Sequence, residues 1–377
     1  MRIAHITDFY LPRLGGIEMH VHDLAVRQQA AGHDVEIVTT TPDGPTGATR
    51  PSPDGEPRVH RLSERLWLPA EVRPTVLRAG RSLLLSGRYD VLHVHAGPAS
   101  PLAYAAASLA DRVPTVVTIH SLLSHLEHAF RALDTVSGWS AWPAVWTAVS
   151  DVAAAPLRRL VWPAEVHVLP NGIDADRWRV DPHPTDPRGV LVVAVMRLAA
   201  RKRPLQLLRM LRRARLSLPA AAGLRVVIAG DGPRRPAMER YLRRHGMTGW
   251  VSLPGRLSRS QIRSLFAQGD LFVAPAILES FGIAALEARC AGLPVVARAE
   301  GGIGQLITDG REGVLVDSDA AMADAIAALA TDPDRRGRIA AHNLATAPPV
   351  AWPDVLAKTT GLYELAAAHR APIGARA

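Results

Sequence analysis

A single cysteine, Cys290, stands in a chain of 377 residues, so an intrachain disulfide is excluded. No apolar run approaches the ~20 residues needed to span a bilayer. The opening Met1-Arg2-Ile3-Ala4-His5-Ile6 reads as a strand, with an ionisable histidine where a signal peptide would continue its apolar stretch, so a cytoplasmic location is expected. Lysine is scarce: Lys202 and Lys358 are the only two. No GxxxxGK[ST] sequence occurs, which excludes a P-loop ATPase. Neither Gly15-Gly16 nor Gly230-Asp231-Gly232-Pro233-Arg234-Arg235 completes GxGxxG, so a nicotinamide enzyme is not expected. Zinc-ligand spacing, RNA-binding signatures and basic heptad regions are missing too, so nucleic acid is not expected as a partner. His93, His95, His125 and His128 do not form a recognised ligand set, and no metal is assigned.

Hydrophobic residues make up 48% and charged residues 21%, the balance of a globular protein able to bury two cores. The net charge is +9, nearly all from arginine, which suits an anionic partner such as a nucleotide or an acidic membrane. Short apolar runs alternate with helical stretches, first at 2–7, 34–40, 91–95, 115–120 and 145–149. The pattern restarts at 190–195, followed by 225–228, 251–253, 271–274, 294–297 and 313–316. This is the signature of two doubly wound α/β domains with parallel sheets, whose ligands bind at the carboxyl ends of strands. The polar, Pro-rich stretch from Asp174 to Gly189 reads as the linker. Pro42 to Pro57 reads as a mobile loop. Arg58 to Arg88 interleaves arginines with Leu and Trp67, the pattern of a surface helix or of a segment lying on an anionic membrane.

The most informative stretch is Glu279-Ser-Phe-Gly-Ile-Ala-Ala-Leu-Glu287, which follows the strand-like Leu271-Phe272-Val273. A helix starting at Gly282 or Ile283 offers free N–H groups and the positive end of its dipole to a phosphate. Glu287 then lies one turn deeper, about 6 Å along the axis, and Glu279 stays on the loop. A sugar nucleotide fits this layout; two solvated glutamates beside a helix cap fit it equally, and the spacing does not choose between them. Arg197 and Lys202, after the first strand of the second series, can bracket a diphosphate as a fork and a point charge. The adjacent glycines of Leu14-Gly15-Gly16-Ile17-Glu18 open the first helix and can bring backbone amides to an anion.

These residues choose when read together. The run VAPAILESFGIAALEARCAGLPVVA, with Gly301-Gly302 and DGREGVLV after it, resembles the nucleotide-sugar-binding half of family 4 glycosyltransferases. Matching signatures precede it in order: GGIExH at Gly15 to His20, His120 at a strand end, Ser150-Asp151, PNGID at Pro170 to Asp174, Arg197 with Lys202, and GDGP at Gly230 to Pro233. Ala276, Gln305 and Met196 depart from common family choices without removing a catalytic group.

The resemblance implies a GT-B fold: two doubly wound Rossmann-like domains facing each other across a cleft, an acceptor-side domain over 1–175 and a nucleotide-sugar domain over 176–353. A final helix near 354–370 crosses back. It implies retaining transfer of a hexose from a nucleotide diphosphate sugar to a hydroxyl acceptor, with that sugar as co-substrate and no cofactor. Arg197, Lys202 and the Gly15-Gly16 amides hold the diphosphate; Glu279 binds the sugar; Phe281, Gly282 and Ile283 line the donor; Glu287 takes the ribose. His120 positions the reacting centre, and Glu18 and His20 lie toward the acceptor. Fixed cations can take a metal's role, and no Asp-x-Asp pair is expected at a strand end. A phosphorylase would need a pyridoxal-phosphate lysine that neither Lys202 nor Lys358 suits. A nucleotide-sugar epimerase of the same fold is an alternative, as is a non-catalytic scaffold recruited to membranes, which predicts decay of Glu279, Glu287, Arg197 or Lys202; all four are present.

Overall fold

The computed structural model describes residues 1–13, 15–42, 55–62, 74–124, 126–181, 189–219 and 222–370. The chain divides into two compact units, one of Met1–Gly172 with Trp352–Ala377, the other of Ile173–Ala351.

The strands of the first unit are β1 (Arg2–Thr7), β2 (Asp34–Thr39), β3 (Arg58–Arg61), β4 (Val91–Ala96), β5 (Thr115–Ile119), β6 (Val145–Ala148) and β7 (Val166–Val168). Those of the second are β8 (Val190–Val195), β9 (Leu224–Ala229), β10 (Val251–Gly255), β11 (Leu271–Ala274), β12 (Val295–Arg298) and β13 (Gly313–Val316). The helices are α1 (Gly16–Ala30), α2 (Pro74–Ser86), α3 (Pro101–Ala107), α4 (Glu127–Ser137), α5 (Asp151–Leu160), α6 (Ala175–Trp178), α7 (Pro204–Ser217), α8 (Arg235–Arg244), α9 (Arg259–Phe266), α10 (Ile283–Cys290), α11 (Asp319–Thr331), α12 (Pro333–Ala345) and α13 (Trp352–Arg370).

Each unit holds one parallel sheet, ordered β3-β2-β1-β4-β5-β6-β7 in the first and β10-β9-β8-β11-β12-β13 in the second. The order reverses between β1 and β4 and between β8 and β11, and a doubly wound sheet opens a ligand crevice at such reversals. Nearly continuous Val/Ile/Leu/Ala strands such as Val190–Val195 are what burial on both faces demands. In the second unit Val192, Val226, Leu271 and Val273 meet Leu207, Leu211, Met322 and Ile326. In the first, Ile3, Ile37, Val91 and Val116 share a core with Leu362, Tyr363 and Ala366 of α13. Helix α13 crosses β4, β5 and β6.

Two expectations need correction, and two strands were not foreseen. Arg58 to Arg88 is not one basic helix. Arg58–Arg61 forms β3, pairing with β2, and α2 follows at Pro74–Ser86; 63–73 lie outside the described residues. Gly80 and Leu84 are buried, and α2 rests on α3, so this part is a surface helix. Two of the arginines are tied inward. Arg61 donates to the Leu11 and Thr41 carbonyls at 2.8 Å each, and Arg81 donates to the Ala105 carbonyl and the Ser108 hydroxyl. Of the segment from Asp174 to Gly189 expected as linker, residues 174–181 belong to the second unit, where Asp174 caps α6 and Trp178 is buried against Phe266; 182–188 lie outside the described residues. Finally, β3 and β7 are strands that the sequence reading passed over. Much of the expected 42–57 loop lies outside the described residues.

Candidate active site

In the second unit, Arg197 follows β8 on a turn clamped by the GDGP loop. The Met196 amide donates to the Ala229 carbonyl at 3.0 Å and the Leu198 amide to Asp231 at 2.9 Å. Gly230 has φ +130, and a Cβ there would lie 1.9 Å from the Met196 carbonyl oxygen, so only glycine lets the two turns touch. Arg197 itself is exposed and makes no ion pair among the described residues.

Lys202 ends a short 3₁₀ turn, and Arg203 after it adopts a left-handed backbone, φ 57, to start α7 at Pro204. Arg203 donates to the Pro275 carbonyl at 3.1 Å and pairs with Asp319 at 2.7 Å, pinning the lysine loop to the end of β11. Among the loop's four basic residues, then, Arg203 serves as scaffold. Lys202 pairs with Glu279, and both side chains are mostly buried. The two expected site residues on separate loops are thus brought into one ion pair at the reversal between β8 and β11.

The Glu279 loop is held by Gly301-Gly302. The Gly302 amide donates to the Glu279 carbonyl at 2.7 Å, and a Cβ at Gly302 would lie 2.2 Å from the Ser280 carbonyl oxygen. Gly282 has φ +94 and precedes α10; a Cβ there would meet Ile303 at 2.3 Å. Helix α10 begins at Ile283 with no side-chain cap and no acidic residue in its first turn, which leaves its amides to an anion. Phe281 is buried, and Glu287, half-buried, follows one turn in. Cys290, near the helix end, is a buried thiol pushed up to about 12 by desolvation, and it is inert packing.

In the first unit, Gly15 precedes α1, but the expected anion cradle has a carboxylate of its own. The Glu18 side chain folds back so that a Cβ at Gly15 would lie 2.3 Å from its Oε2, and Arg13 pairs with Glu18 at 3.2 Å. His20 is buried and stacked on Trp352, ring centroids 5.5 Å apart, with its Nδ1 lacking a hydrogen-bond partner among the described residues. His120 follows β5 and is buried, 5.8 Å from the His20 ring. Ser150 caps α5, accepting from the Ala153 amide at 3.2 Å.

The family can be settled on this geometry and the matches to it. Residues 179–343 match the model of glycosyl transferases group 1, and residues 14–177 match that of glycosyltransferase family 4. The chain belongs to glycosyltransferase family 4. Glycogen synthase of Mycobacterium tuberculosis is 29% identical over 397 residues, spanning 96% of this chain and 94% of its own. The GDP-mannose-dependent α-(1-6)-phosphatidylinositol monomannoside mannosyltransferase of the same organism is 27% identical over 361 residues, 89% of this chain and 90% of its own. In fold, the glycosyltransferase resembles Anabaena HepE, solved with UDP and glucose. The TM-score is 0.74 at 17% identity, covering 97% of this chain and all of that one. The architecture is GT-B. No helix among the described residues is long and apolar enough to cross a membrane.

The sequence reading of this glycosyltransferase missed two clusters. Asp317-Ser318-Asp319 does stand at a strand end, directly after β13, against expectation. Its Asp319 carboxylate is committed to Arg203 and, at 3.4 Å, to Arg298. Beneath His120, strands β1 and β4 bring His5, His93 and His95 together with ligand atoms within 4.8 Å of one another. A metal would need their lone pairs. Both nitrogens of each ring already have hydrogen-bond partners, so the cluster is better read as a network than as an ion site. Burial lowers every one of these rings: His5 to about 4, His20 to about 3, and His93, His95 and His120 well below their ordinary value, so all are neutral at pH 7. Alternating histidines on β4 carried the only sequence signal; His5 and Gln28 carried none.

Proposed function

We propose that the protein transfers a hexose from a nucleoside diphosphate sugar to a hydroxyl acceptor with retention of configuration. The observation that carries this reading is the Lys202–Glu279 pair, set at the crevice of the second sheet beside the uncapped start of α10. Arg197 and Lys202 neutralise the diphosphate together with the first amides of α10, at Gly282 and Ile283. Glu287, one turn deeper, accepts hydrogen bonds from the ribose hydroxyls, and Glu279 binds hydroxyls of the donor sugar. Phe281 fixes the turn. In the first unit, Gly15 and Gly16 are assigned to phosphate, Glu18 and His20 to the acceptor side, and His120 to positioning of the reacting hydroxyls.

The anomeric C–O bond to the diphosphate breaks and the bond to the acceptor oxygen forms on the same face. The leaving phosphate oxygen receives the acceptor proton. No protein nucleophile is required. Preorganised cations aimed at the charge that develops on the leaving group supply the largest stabilisation, without a divalent ion. We assign the unit of Ile173–Ala351 to the nucleotide sugar and the other to the acceptor.

Calorimetry with the bare nucleoside diphosphate and with the intact sugar nucleotide tests the division of labour. Glu287→Gln should weaken both ligands. Glu279→Gln should leave the nucleoside diphosphate nearly unchanged and weaken the sugar nucleotide. Equal losses for both ligands in both variants would contradict the assignment.

A further inference from the structure

Beneath His120 the first unit contains an unbroken hydrogen-bond chain whose direction can be worked out. At one end the Thr147 hydroxyl lies 3.2 Å from the Val117 carbonyl oxygen, an atom that can only accept. Thr147 has one proton, so it donates there and must accept from Thr118 at 2.6 Å. Thr118, its proton spent, accepts from His93 Nε2–H at 2.8 Å. A neutral His93 then has a bare Nδ1, which accepts from the Tyr363 hydroxyl at 2.8 Å. Tyr363 in turn accepts from the Gln28 amide nitrogen at 3.0 Å, which turns the Gln28 oxygen toward His5 Nε2–H at 2.6 Å. His5 Nδ1 is therefore bare and accepts from His95 Nε2–H at 2.9 Å; His95 Nδ1 is bare and accepts from His120 Nε2–H at 3.0 Å.

We propose that this chain, anchored on the Val117 carbonyl and relayed through Tyr363 and Gln28, fixes His120 as its Nε2–H tautomer, with Nδ1 a hydrogen-bond acceptor. The tautomer of an imidazole is set by the bond its other nitrogen makes, and here that rule runs through three rings in series. Each hydroxyl and each neutral ring has one movable proton, so reversing the chain from end to end costs the Thr147–Val117 bond, and reversing only part of it strands a proton or a lone pair at Tyr363. Burial keeps the links in this one-proton condition: it holds the rings neutral and pushes the Tyr363 hydroxyl up, so that it stays protonated. One net hydrogen bond corresponds to a preference of roughly fivefold, and mutual polarisation along a buried chain adds to it. Gln28, Tyr363, Thr118 and Thr147 are then positioning residues. They make His120 Nδ1 an acceptor rather than a donor; that this bears on the sugar hydroxyls, the functional half, rests on the reaction proposed above, whereas the tautomer itself does not.

The test is ¹⁵N NMR of ring-labelled histidines in the full-length protein without substrate at neutral pH, with His120 assigned by the resonances lost in His120→Asn. The expected result is a protonated Nε2 and an unprotonated Nδ1. A protonated Nδ1 would overturn the proposal outright. In Tyr363→Phe and Thr147→Val the preference should fall from roughly fivefold or more toward parity; an unchanged His120 tautomer in a folded variant would overturn the relay. If Tyr363→Phe does not fold, Thr147→Val and the wild-type spectrum still decide. Sugar transfer measured on the same variants separates the two halves. A shifted tautomer with a lowered kcat and unchanged donor affinity supports both, and a shifted tautomer with unchanged kcat removes the functional half alone.

Discussion

Acid should unfold the first unit well before ordinary carboxylate titration begins. His5 and His20 are buried and neutral, with pKa lowered by desolvation to about 4 and about 3, whereas an unfolded histidine titrates near 6.5. Because the unfolded chain binds these protons first, the stability is fully present above 6.5 and drains away as pH falls below it, until the folded rings themselves titrate. By about pH 5.5 each ring that stays neutral has cost about 1.4 kcal/mol, so these two alone remove about 3 kcal/mol. His93, His95 and His120 shift in the same direction and add to the loss. Domain stabilities are about 5–15 kcal/mol, so this is a large share. Glu36 is held low by hydrogen bonds from Tyr89, Arg2 and His60 against its own desolvation, and Glu127 is held low by Arg159. Both lose their contribution only below their ordinary value of 4.5, so they do not obscure the window. Denaturant unfolding between about pH 7.5 and 5.5, with hydrogen exchange to locate the transition, should show the first unit weakening while the second holds. His20→Phe keeps the stack on Trp352 and removes one proton from the linkage, so its acid slope should be shallower, with about 1.4 kcal/mol less stability lost in total between about pH 7.5 and 5.5. A stability that stays flat across this range, or an unchanged slope in His20→Phe, would refute the reasoning.

Three further outcomes are expected. Lys202→Ala and Arg197→Ala should each lower kcat/KM by about a hundredfold or more with the fold intact by circular dichroism, and near-normal turnover in folded Lys202→Ala would remove the diphosphate assignment. Gly302→Ala must displace the Ser280 carbonyl, 2.2 Å from the new Cβ; it should cost about 1–3 kcal/mol in denaturant unfolding and weaken the sugar nucleotide more than the bare nucleoside diphosphate. Sugar transfer should survive a chelator; activity lost there and restored by Mg²⁺ or Mn²⁺ would count against fixed cations replacing a metal.

The strands were legible in the sequence because burial on both faces leaves an uninterrupted apolar run, as at Val190–Val195. Val166–Val168 was missed because three residues with a central His167 carry too little pattern. The GDGP, Gly301-Gly302 and Glu279 to Glu287 signatures were legible because close backbone approach permits glycine alone, which leaves a local mark. The histidine network left no such mark. His5, Gln28 and Tyr363 are separated by 23 and 335 residues, and only the packing of α1 and α13 on the first sheet brings them together. Nor did the sequence show that Lys202 and Glu279 would pair, since the contact spans 77 positions.

The return of α13 to the first sheet has a consequence for synthesis. A ribosome makes the chain from its N-terminus, and domains ordinarily fold as they emerge. Here Trp352, Leu362, Tyr363 and Ala366 belong to the core that begins at Ile3. The earlier-made unit must therefore wait, with the face of β4, β5 and β6 uncovered, until the whole of the later one has been translated. The first half of this enzyme is the last to be finished.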